Sequence, residues 1–269
     1  MDFEQFLILS ARAIMRPRWG LAYIQQLLSI RDTRLHNQRI GEYEKYRTPL
    51  DKAIAKSTGG DLSQVQTIVS DVSLKDYYIE AHDPIHIAAR CMGGSAETNL
   101  AIALYAICRL LRPQTVVETG VSYGISSAFI LRALTENQQG HLYSIDLPAP
   151  RWGAESSIGI SVLKRLRTRW TLTIDFSKHA LPKLLAEIGT IDLFLSDSEH
   201  TYRNQRMEHT LAWKHLSPGG ILIEDDIFSS DAFLELCQEN DLQPLVVSRF
   251  LDNQNEVQGP FGILSKPRK

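Results

Sequence analysis

The chain has 269 residues, of which 43% are hydrophobic and 22% are charged, and its formal net charge is −2. A chain of this length and apolar content can bury a large core without help from disulfides or metals. The small net charge and the apolar content exclude bulk disorder and a broad basic surface for nucleic acid.

Cysteine usage and the distribution of apolar runs indicate the compartment. The three cysteines, at positions 91, 108 and 237, form no C-x-x-C pair, so neither a disulfide framework nor a zinc ribbon is predicted. The first four residues, MDFE, are acidic, whereas the start of a signal peptide is basic. No apolar run approaches the roughly 20 residues of a membrane span. We therefore expect a soluble, cytoplasmic protein without a nucleic-acid partner.

Residues 1–92 predict a helical N-terminal region, interrupted by Pro17, Pro49 and the turn at 58–61. Its first helix places Phe3, Phe6, Leu7 and Ile14 on one face, with arginines nearby. A basic amphipathic helix can rest on an anionic membrane, but its apolar stripe more often packs on the same chain or on a second copy. We expect a lid or an oligomerisation element, with residues 77–86 covering a neighbouring site.

From residue 93 to residue 269, short apolar runs alternate with helix-like segments, which is typical of a parallel α/β sheet. The predicted strands are 115–117, 141–145, 171–174, 191–195 and 221–223. The predicted helices are 99–111, 126–135, 181–188 and 202–216. Two late runs, 244–248 and 261–264, are expected to form an antiparallel edge. The fold class predicted is a doubly wound, Rossmann-like α/β domain that follows the helical region.

Acidic residues follow several of the predicted strands. Asp146 ends the second strand, Asp197 follows the fourth, and the acids 224–226 follow the fifth. In an open α/β sheet, ligands bind just beyond the carboxyl ends of the strands. The acids therefore cluster where a functional site is expected.

The turn after the first strand reads ETGVSYG, residues 118–124. Gly120 suits a positive φ, and Gly124 allows the start of the next helix to approach closely. The turn lacks the G-x-G-x-x-G pattern whose exposed amides hold a pyrophosphate, so it suits a nucleoside without phosphates. Asp146, 26 residues after Gly120, can accept hydrogen bonds from both ribose hydroxyls, as an acid does in dinucleotide-binding folds.

Four segments, 116–127, 145–146, 191–202 and 219–226, resemble the motifs of class I S-adenosylmethionine-dependent methyltransferases, in the same order. The resemblance covers the chain from about Ser95 onward and implies S-adenosylmethionine as the cofactor. It implies that Asp146 binds the ribose hydroxyls and that Ser177 lies near the adenine. It also assigns residues to the methionine and ribose side of the cofactor: Glu118, Gly120, Ser122, Gly124 and Ser126.

The acids after the fourth and fifth strands are a candidate metal site. Crowded carboxylates repel one another unless a cation, a proton or solvent compensates them, and oxygen ligands suit Mg²⁺ or Mn²⁺. The segment DSEH, residues 197–200, resembles the D-x-x-H segment of metal-dependent sugar O-methyltransferases of natural-product pathways. That resemblance implies Asp197 as a metal ligand and His200 as general base. The second ligand pair is either 224–225, as in those enzymes, or Asp225 with Asp226, as in catechol-type methyltransferases.

Together these patterns predict a methyltransferase that acts on a hydroxyl of a small molecule, such as a sugar or natural product. The catalytic residues expected are Asp197 and His200, and the metal ligands expected are Asp197, Asp225 and Asp226, holding Mg²⁺ or Mn²⁺. The reaction would be one in-line displacement, in which the protein positions and deprotonates the acceptor. The alternatives are a metal-independent methyltransferase acting on nitrogen or a phenol, with structural acids, and a non-catalytic nucleoside-binding protein.

Overall fold

The computed structural model describes residues 39–88, 96–147, 154–248 and 260–268. Within these ranges, one sheet has the strand order β3-β2-β1-β4-β5-β7-β6. Its strands are β1 Thr115–Thr119, β2 His141–Asp146, β3 Trp170–Ile174, β4 Ile191–Ser196, β5 Leu216–Glu224, β6 Leu245–Val247 and β7 Phe261–Ser265. Strands β1 to β5 are parallel, whereas β7 runs antiparallel to both β5 and β6. The predicted parallel sheet with an antiparallel edge is confirmed.

Helices connect the parallel strands and precede the sheet. In chain order they are α1 Leu50–Thr58, α2 Leu62–Val69, α3 Val72–Ala88, α4 Thr98–Leu111, α5 Ile125–Asn137, α6 Ala154–Ser157, α7 Ser177–Ile188, α8 Tyr202–His215 and α9 Ala232–Glu239. Two 3-10 helices span Ile40–Tyr46 and Lys164–Arg169. The predicted turn at 58–61 lies between α1 and α2. There, the Asp61 carboxylate caps α2 by accepting the amides of Ser63 and Gln64, at 3.0 and 3.2 Å.

Both faces of the sheet are buried at its central strands β1, β4 and β5, and this explains why these strands read as continuous apolar runs. Consecutive residues point to opposite faces of a strand. Val116 and Leu193 therefore belong to one core cluster, and Val117 and Phe194 to the other. All four side chains are fully buried.

The described part of the N-terminal region packs on the sheet domain. Ile54, Val65 and Leu74 are fully buried in the same core cluster as Val116, and the Thr48 amide donates to the Val246 carbonyl at 2.8 Å. None of the helices in the described residues has the length and apolar character needed to cross a bilayer. The amphipathic segment predicted for residues 3–14 and the predicted boundary at 92–93 lie outside the described residues.

Strand β5 begins earlier than the sequence indicates. Residues 218–220, Pro-Gly-Gly, precede the predicted strand at 221–223, but they lie within β5, which starts at Leu216. Leu216 pairs with Ile191, and the register shifts before Leu193 pairs with Ile221. An irregularity of this kind accommodates proline and glycine inside a strand, so the predicted start of the strand was too late.

Candidate active site

The loop after β1 touches the loop after β4 through the backbone. Gly120 has a φ of +85°, and a Cβ at this position would lie 1.8 Å from the carbonyl oxygen of Asp197. The Asp197 amide in turn donates to the Thr119 carbonyl at 2.8 Å. Only glycine can adopt this backbone conformation at such a close approach. The predicted cofactor loop and the segment that begins with Asp197 therefore adjoin directly.

Asp146, at the end of β2, supports the loop after β1. Its Oδ2 accepts the Ser122 amide at 2.8 Å, and its Oδ1 accepts the Leu147 amide at 2.7 Å. Burial raises the pKa of Asp146 to about 6, against the lowering effect of these amides and that of Val121. The side chain remains partly exposed at the carboxyl edge of the sheet, where the sequence predicts the ribose.

Glu118 and Ser126, both predicted to line the cofactor, lie beneath the loop. Glu118 is 0% exposed. Its carboxylate accepts the hydroxyls of Ser126, Ser127 and Ser144 at 2.5, 2.6 and 2.7 Å. Burial raises the pKa of Glu118 to about 7, although the three hydroxyls oppose this shift. Glu118 therefore joins β1, β2 and the start of α5. Direct contact of Glu118 or Ser126 with a ligand stays a prediction.

The outer side of the loop is covered by a segment that the sequence did not single out. Gly124 has a φ of +90°, and a Cβ there would lie 2.7 Å from the Cα of Gly159. The Gly159 amide donates to the Ser122 carbonyl, and the Ser161 amide to the Tyr123 carbonyl, each at 2.9 Å. The predicted close approach at Gly124 is thus made to a neighbouring loop. The only sequence signal for this contact was a lone glycine in a stretch without periodicity.

His200 lies between two of the predicted acids. Its Nε2 is 3.7 Å from Asp197 Oδ1 and 3.6 Å from Asp226 Oδ2. The three side chains are 33%, 20% and 35% exposed, respectively, so the cluster faces solvent. Asp226 has a φ of +52°, an uncommon conformation for a non-glycine residue that often marks a functional site.

The other acids after β5 are buried. Glu224 is 1% exposed, and its carboxylate contacts His209 Nε2 and Gln205 Nε2, each at 2.5 Å. Burial raises the pKa of Glu224, although His209 opposes the shift. Asp225 is 7% exposed, and its amide donates to the Ser196 carbonyl at 2.9 Å.

The expected metal ligands are therefore not assembled as a set. Among the described residues, no group of three or more histidine, cysteine, aspartate or glutamate side chains is arranged to hold a metal ion. Asp197 and Asp226 face the imidazole of His200 instead, and Asp225 is buried. Metal binding by Asp197, Asp225 and Asp226 stays a prediction of the sequence.

Two further candidates make contacts within the protein. The Ser177 hydroxyl, at the start of α7, donates to Asn204 Oδ1 at 3.1 Å. His82, from the segment expected to cover the site, contacts the Tyr78 carbonyl through Nδ1 at 2.8 Å, and its ring lies 4.2 Å from that of Tyr78. Both contacts join His82 to Tyr78 within α3, so they stabilise this helix. The His86 side chain lies outside the described residues.

Comparison with known proteins identifies the domain that carries this site. Residues 117–227 match the family model of a methyltransferase domain. No curated protein sequence matches the chain. Among solved structures, the Bacillus cereus O-methyltransferase in complex with SAH is 14% identical, with a TM-score of 0.51 over 73% of this chain and 92% of that chain. TomG from Streptomyces achromogenes, an O-methyltransferase of tomaymycin synthesis in complex with SAM, is 16% identical, with a TM-score of 0.51 over 73% of this chain and 91% of that chain.

A candidate O-methyltransferase from Klebsiella pneumoniae is similar to the same extent. It is 16% identical and gives a TM-score of 0.52 over 74% of this chain and 91% of that chain. At these identities the structural likeness shows the fold, and the family match identifies residues 117–227 as a methyltransferase domain. The resemblance to class I methyltransferases is confirmed.

Proposed function

We propose that this methyltransferase transfers the methyl group of S-adenosylmethionine to a hydroxyl oxygen of a small molecule, with His200 as the base. One observation carries the proposal: Gly120 of the loop after β1 packs on the backbone of Asp197, three residues before His200. The predicted cofactor loop and the base therefore adjoin at the carboxyl edge of the sheet, where ligands of this fold class bind.

The residues around the loop suit the nucleoside of this cofactor. An ionised carboxylate has about four acceptor positions, and the amides of Ser122 and Leu147 occupy two of those of Asp146. The partly exposed carboxylate keeps acceptor capacity for a ribose hydroxyl. The structurally similar proteins from Bacillus cereus and Streptomyces achromogenes, which are in complex with SAH and SAM, support this choice of cofactor.

The chemistry requires a proton acceptor beside the substrate hydroxyl. When bound, the cofactor supplies a methyl group on a sulfonium, and the electron pair of the broken sulfur–carbon bond returns to sulfur. The acceptor oxygen forms the new bond to carbon, and its proton passes to the imidazole of His200. Histidine is suited to this role because it exchanges protons near neutral pH. The carboxylates of Asp197 and Asp226 flank the ring, each within 4 Å of Nε2.

The predicted metal ligands do not fit a divalent ion as they are arranged, because Asp197 and Asp226 face His200 and Asp225 is buried. A metal ion would have to separate these carboxylates from the imidazole. A chelation experiment tests this point directly.

The function is tested with labelled S-adenosylmethionine and a panel of sugars, glycosides, phenols and amines. We expect methyl transfer to a hydroxyl, and we expect His200→Ala to lower the single-turnover rate by about 10²–10⁴-fold, the usual share of a general base. His215→Ala is the matched control, because His215 lies at the far end of α8 and contacts the Gly189 carbonyl.

Three results would overturn the proposal. One is SAH binding without methylation of any acceptor, which is expected of a nucleoside-binding protein. Another is transfer to amines alone. The third is a His200→Ala variant whose rate stays within about threefold of wild type.

A further inference from the structure

We propose that the buried face of α8, formed by Gln205, Glu208 and His209, positions His200 for proton transfer. This inference rests on the proposed function, in which His200 is the base. The three residues are 3%, 0% and 0% exposed. Glu208 and His209 follow Gln205 by three and four residues, about one helical turn, so all three lie on the buried side of the helix. A helix face packed against a sheet is ordinarily apolar, and buried polar groups cost free energy unless they are hydrogen-bonded. The contacts of this face show what its polarity achieves.

Glu208 joins the end of β1 and the end of β4 to the loop that carries His200. Its carboxylate accepts four side-chain hydrogen bonds, from Thr119 Oγ1 at 2.7 Å, Ser196 Oγ at 2.9 Å, Ser198 Oγ at 2.6 Å and Asn204 Nδ2 at 2.9 Å. Ser198 lies between the two predicted catalytic residues, Asp197 and His200. Four donors around one group require a pure acceptor, which a carboxylate is.

Gln205 and His209 hold the second loop of the cluster, which follows β5. Gln205 Nε2 donates to Glu224 Oε1 at 2.5 Å and to Ser229 Oγ at 2.9 Å. His209 Nε2 contacts Glu224 Oε2 at 2.5 Å. The Ser229 amide closes the turn by donating to the Asp226 carbonyl at 2.8 Å. One helix face therefore fixes both loops whose side chains meet at His200.

The imidazole depends on this backbone support. Its Nε2 lies 3.7 and 3.6 Å from the carboxylates of Asp197 and Asp226, beyond ordinary hydrogen-bond range. These acids therefore do not fix the position of the ring. The position follows from the course of the two loops, and a misplacement of about 1 Å can lower a rate 10²-fold.

The first test removes one link between the loop and α8. Ser198→Ala takes a hydroxyl from Glu208 and Asn204, and it leaves Asn204 on the same Glu208 oxygen and on the Glu199 carbonyl. In the full chain saturated with S-adenosylhomocysteine, we expect the Cε1–H NMR resonance of His200 to shift and broaden. His200→Ala identifies that resonance by its loss. Ala212→Gly is the stability control, because it weakens the same helix at a buried position one turn further along, whose side chain makes no hydrogen bond. It should leave the resonance in place. An unchanged His200 resonance in Ser198→Ala overturns the inference.

The second test is a double-mutant cycle on single-turnover transfer to the acceptor that the panel identifies. Ser198→Ala alone should lower the rate about 10- to 100-fold, but less than twofold in the His200→Ala background, with S-adenosylhomocysteine affinity unchanged. Equal losses in both backgrounds would show that Ser198 does not act through His200. Glu208→Gln keeps one acceptor oxygen for Ser198 but places an amide donor beside Thr119 and Ser196, so it should recover part of the rate lost in Glu208→Ala. If His200→Ala itself leaves the rate unchanged, the proposed function fails, whereas the NMR result still decides whether α8 positions the ring.

Discussion

Asp146→Ala provides the most direct test of the predicted cofactor site. The substitution removes an acceptor that is partly exposed at the carboxyl edge of the sheet. A hydrogen bond to a charged group contributes about 1.5–3 kcal/mol, and about 1.4 kcal/mol changes a dissociation constant tenfold. We therefore expect the affinity for S-adenosylhomocysteine to fall about 10- to 150-fold.

The same substitution also withdraws support from the loop. The amides of Ser122 and Leu147 lose their acceptor at 2.8 and 2.7 Å, and part of the affinity loss can arise from a displaced loop. Asp192→Ala is the matched control. Asp192 accepts the amides of Gln114 and Thr115 at 2.8 and 3.0 Å, but it lies at the start of β4, on the opposite edge of the sheet.

Calorimetric titration with S-adenosylhomocysteine measures the affinity, and urea unfolding measures the stability of each variant. Both substitutions leave backbone amides without a side-chain acceptor, and Asp192→Ala also leaves the Ser217 hydroxyl without one. Each variant should therefore have a lower free energy of unfolding than the wild type. Only Asp146→Ala should weaken the affinity, with Asp192→Ala staying within twofold of wild type. A folded Asp146→Ala variant of unchanged affinity would remove Asp146 from the cofactor site.

Three further predictions follow from the same geometry. Because burial raises the pKa of Asp146 from 3.8 to about 6, the carboxylate becomes protonated and loses acceptor capacity as the pH falls through about 6. The affinity for S-adenosylhomocysteine should therefore weaken from pH 7.5 to pH 5 in the wild type but not in Asp146→Asn. An equal pH dependence of the affinity in both proteins would refute this prediction. Gly120→Ala should destabilise the protein by more than the roughly 1–2 kcal/mol of a left-handed residue, because its Cβ would lie 1.8 Å from a carbonyl oxygen. Gly59→Ala, at a left-handed φ of +72° and ψ of +18° with no atom nearer than 3.5 Å to the new Cβ, should show only the conformational part in urea unfolding. Since Asp197 and Asp226 face His200 rather than one another, methyl transfer should survive exhaustive chelation with EDTA. If EDTA abolishes the activity and Mg²⁺ or Mn²⁺ restores it, the acids rearrange around a metal ion instead.

The sheet was predictable because its central strands are buried on both faces, so that each reads as a short apolar run that ends at a polar residue. The helices α4 and α8, at Thr98–Leu111 and Tyr202–His215, lie within one residue of their predicted ranges. Helix α9, at Ala232–Glu239, was not predicted. It is short and follows directly on the acids and serines after β5, whose composition indicates a loop.

The candidate site was predictable only in part. The order of strands and acids placed Asp197, His200 and Asp226 at one edge of the sheet. Which pair of acids after β5, 224–225 or 225–226, belongs to the site was left open, because it depends on tertiary contacts. Glu224 turns inward because His209, from α8, meets it in the core. The positive φ of Asp226 turns the backbone at the point where its carboxylate reaches His200.

Backbone strain occurs in both loops of the site and bears on how the site is ordered. Ser122 and Asp226 adopt φ values of +50° and +52°, each at a cost of about 1–2 kcal/mol relative to an ordinary conformation. The Ser122 amide is held by Asp146, and the Asp226 carbonyl by the Ser229 amide, while Gln205 anchors the Ser229 side chain. Strained conformations persist only where surrounding contacts over-determine them. Because these contacts form on folding, the entropy of ordering both loops is lost before any ligand arrives, and binding need not supply it.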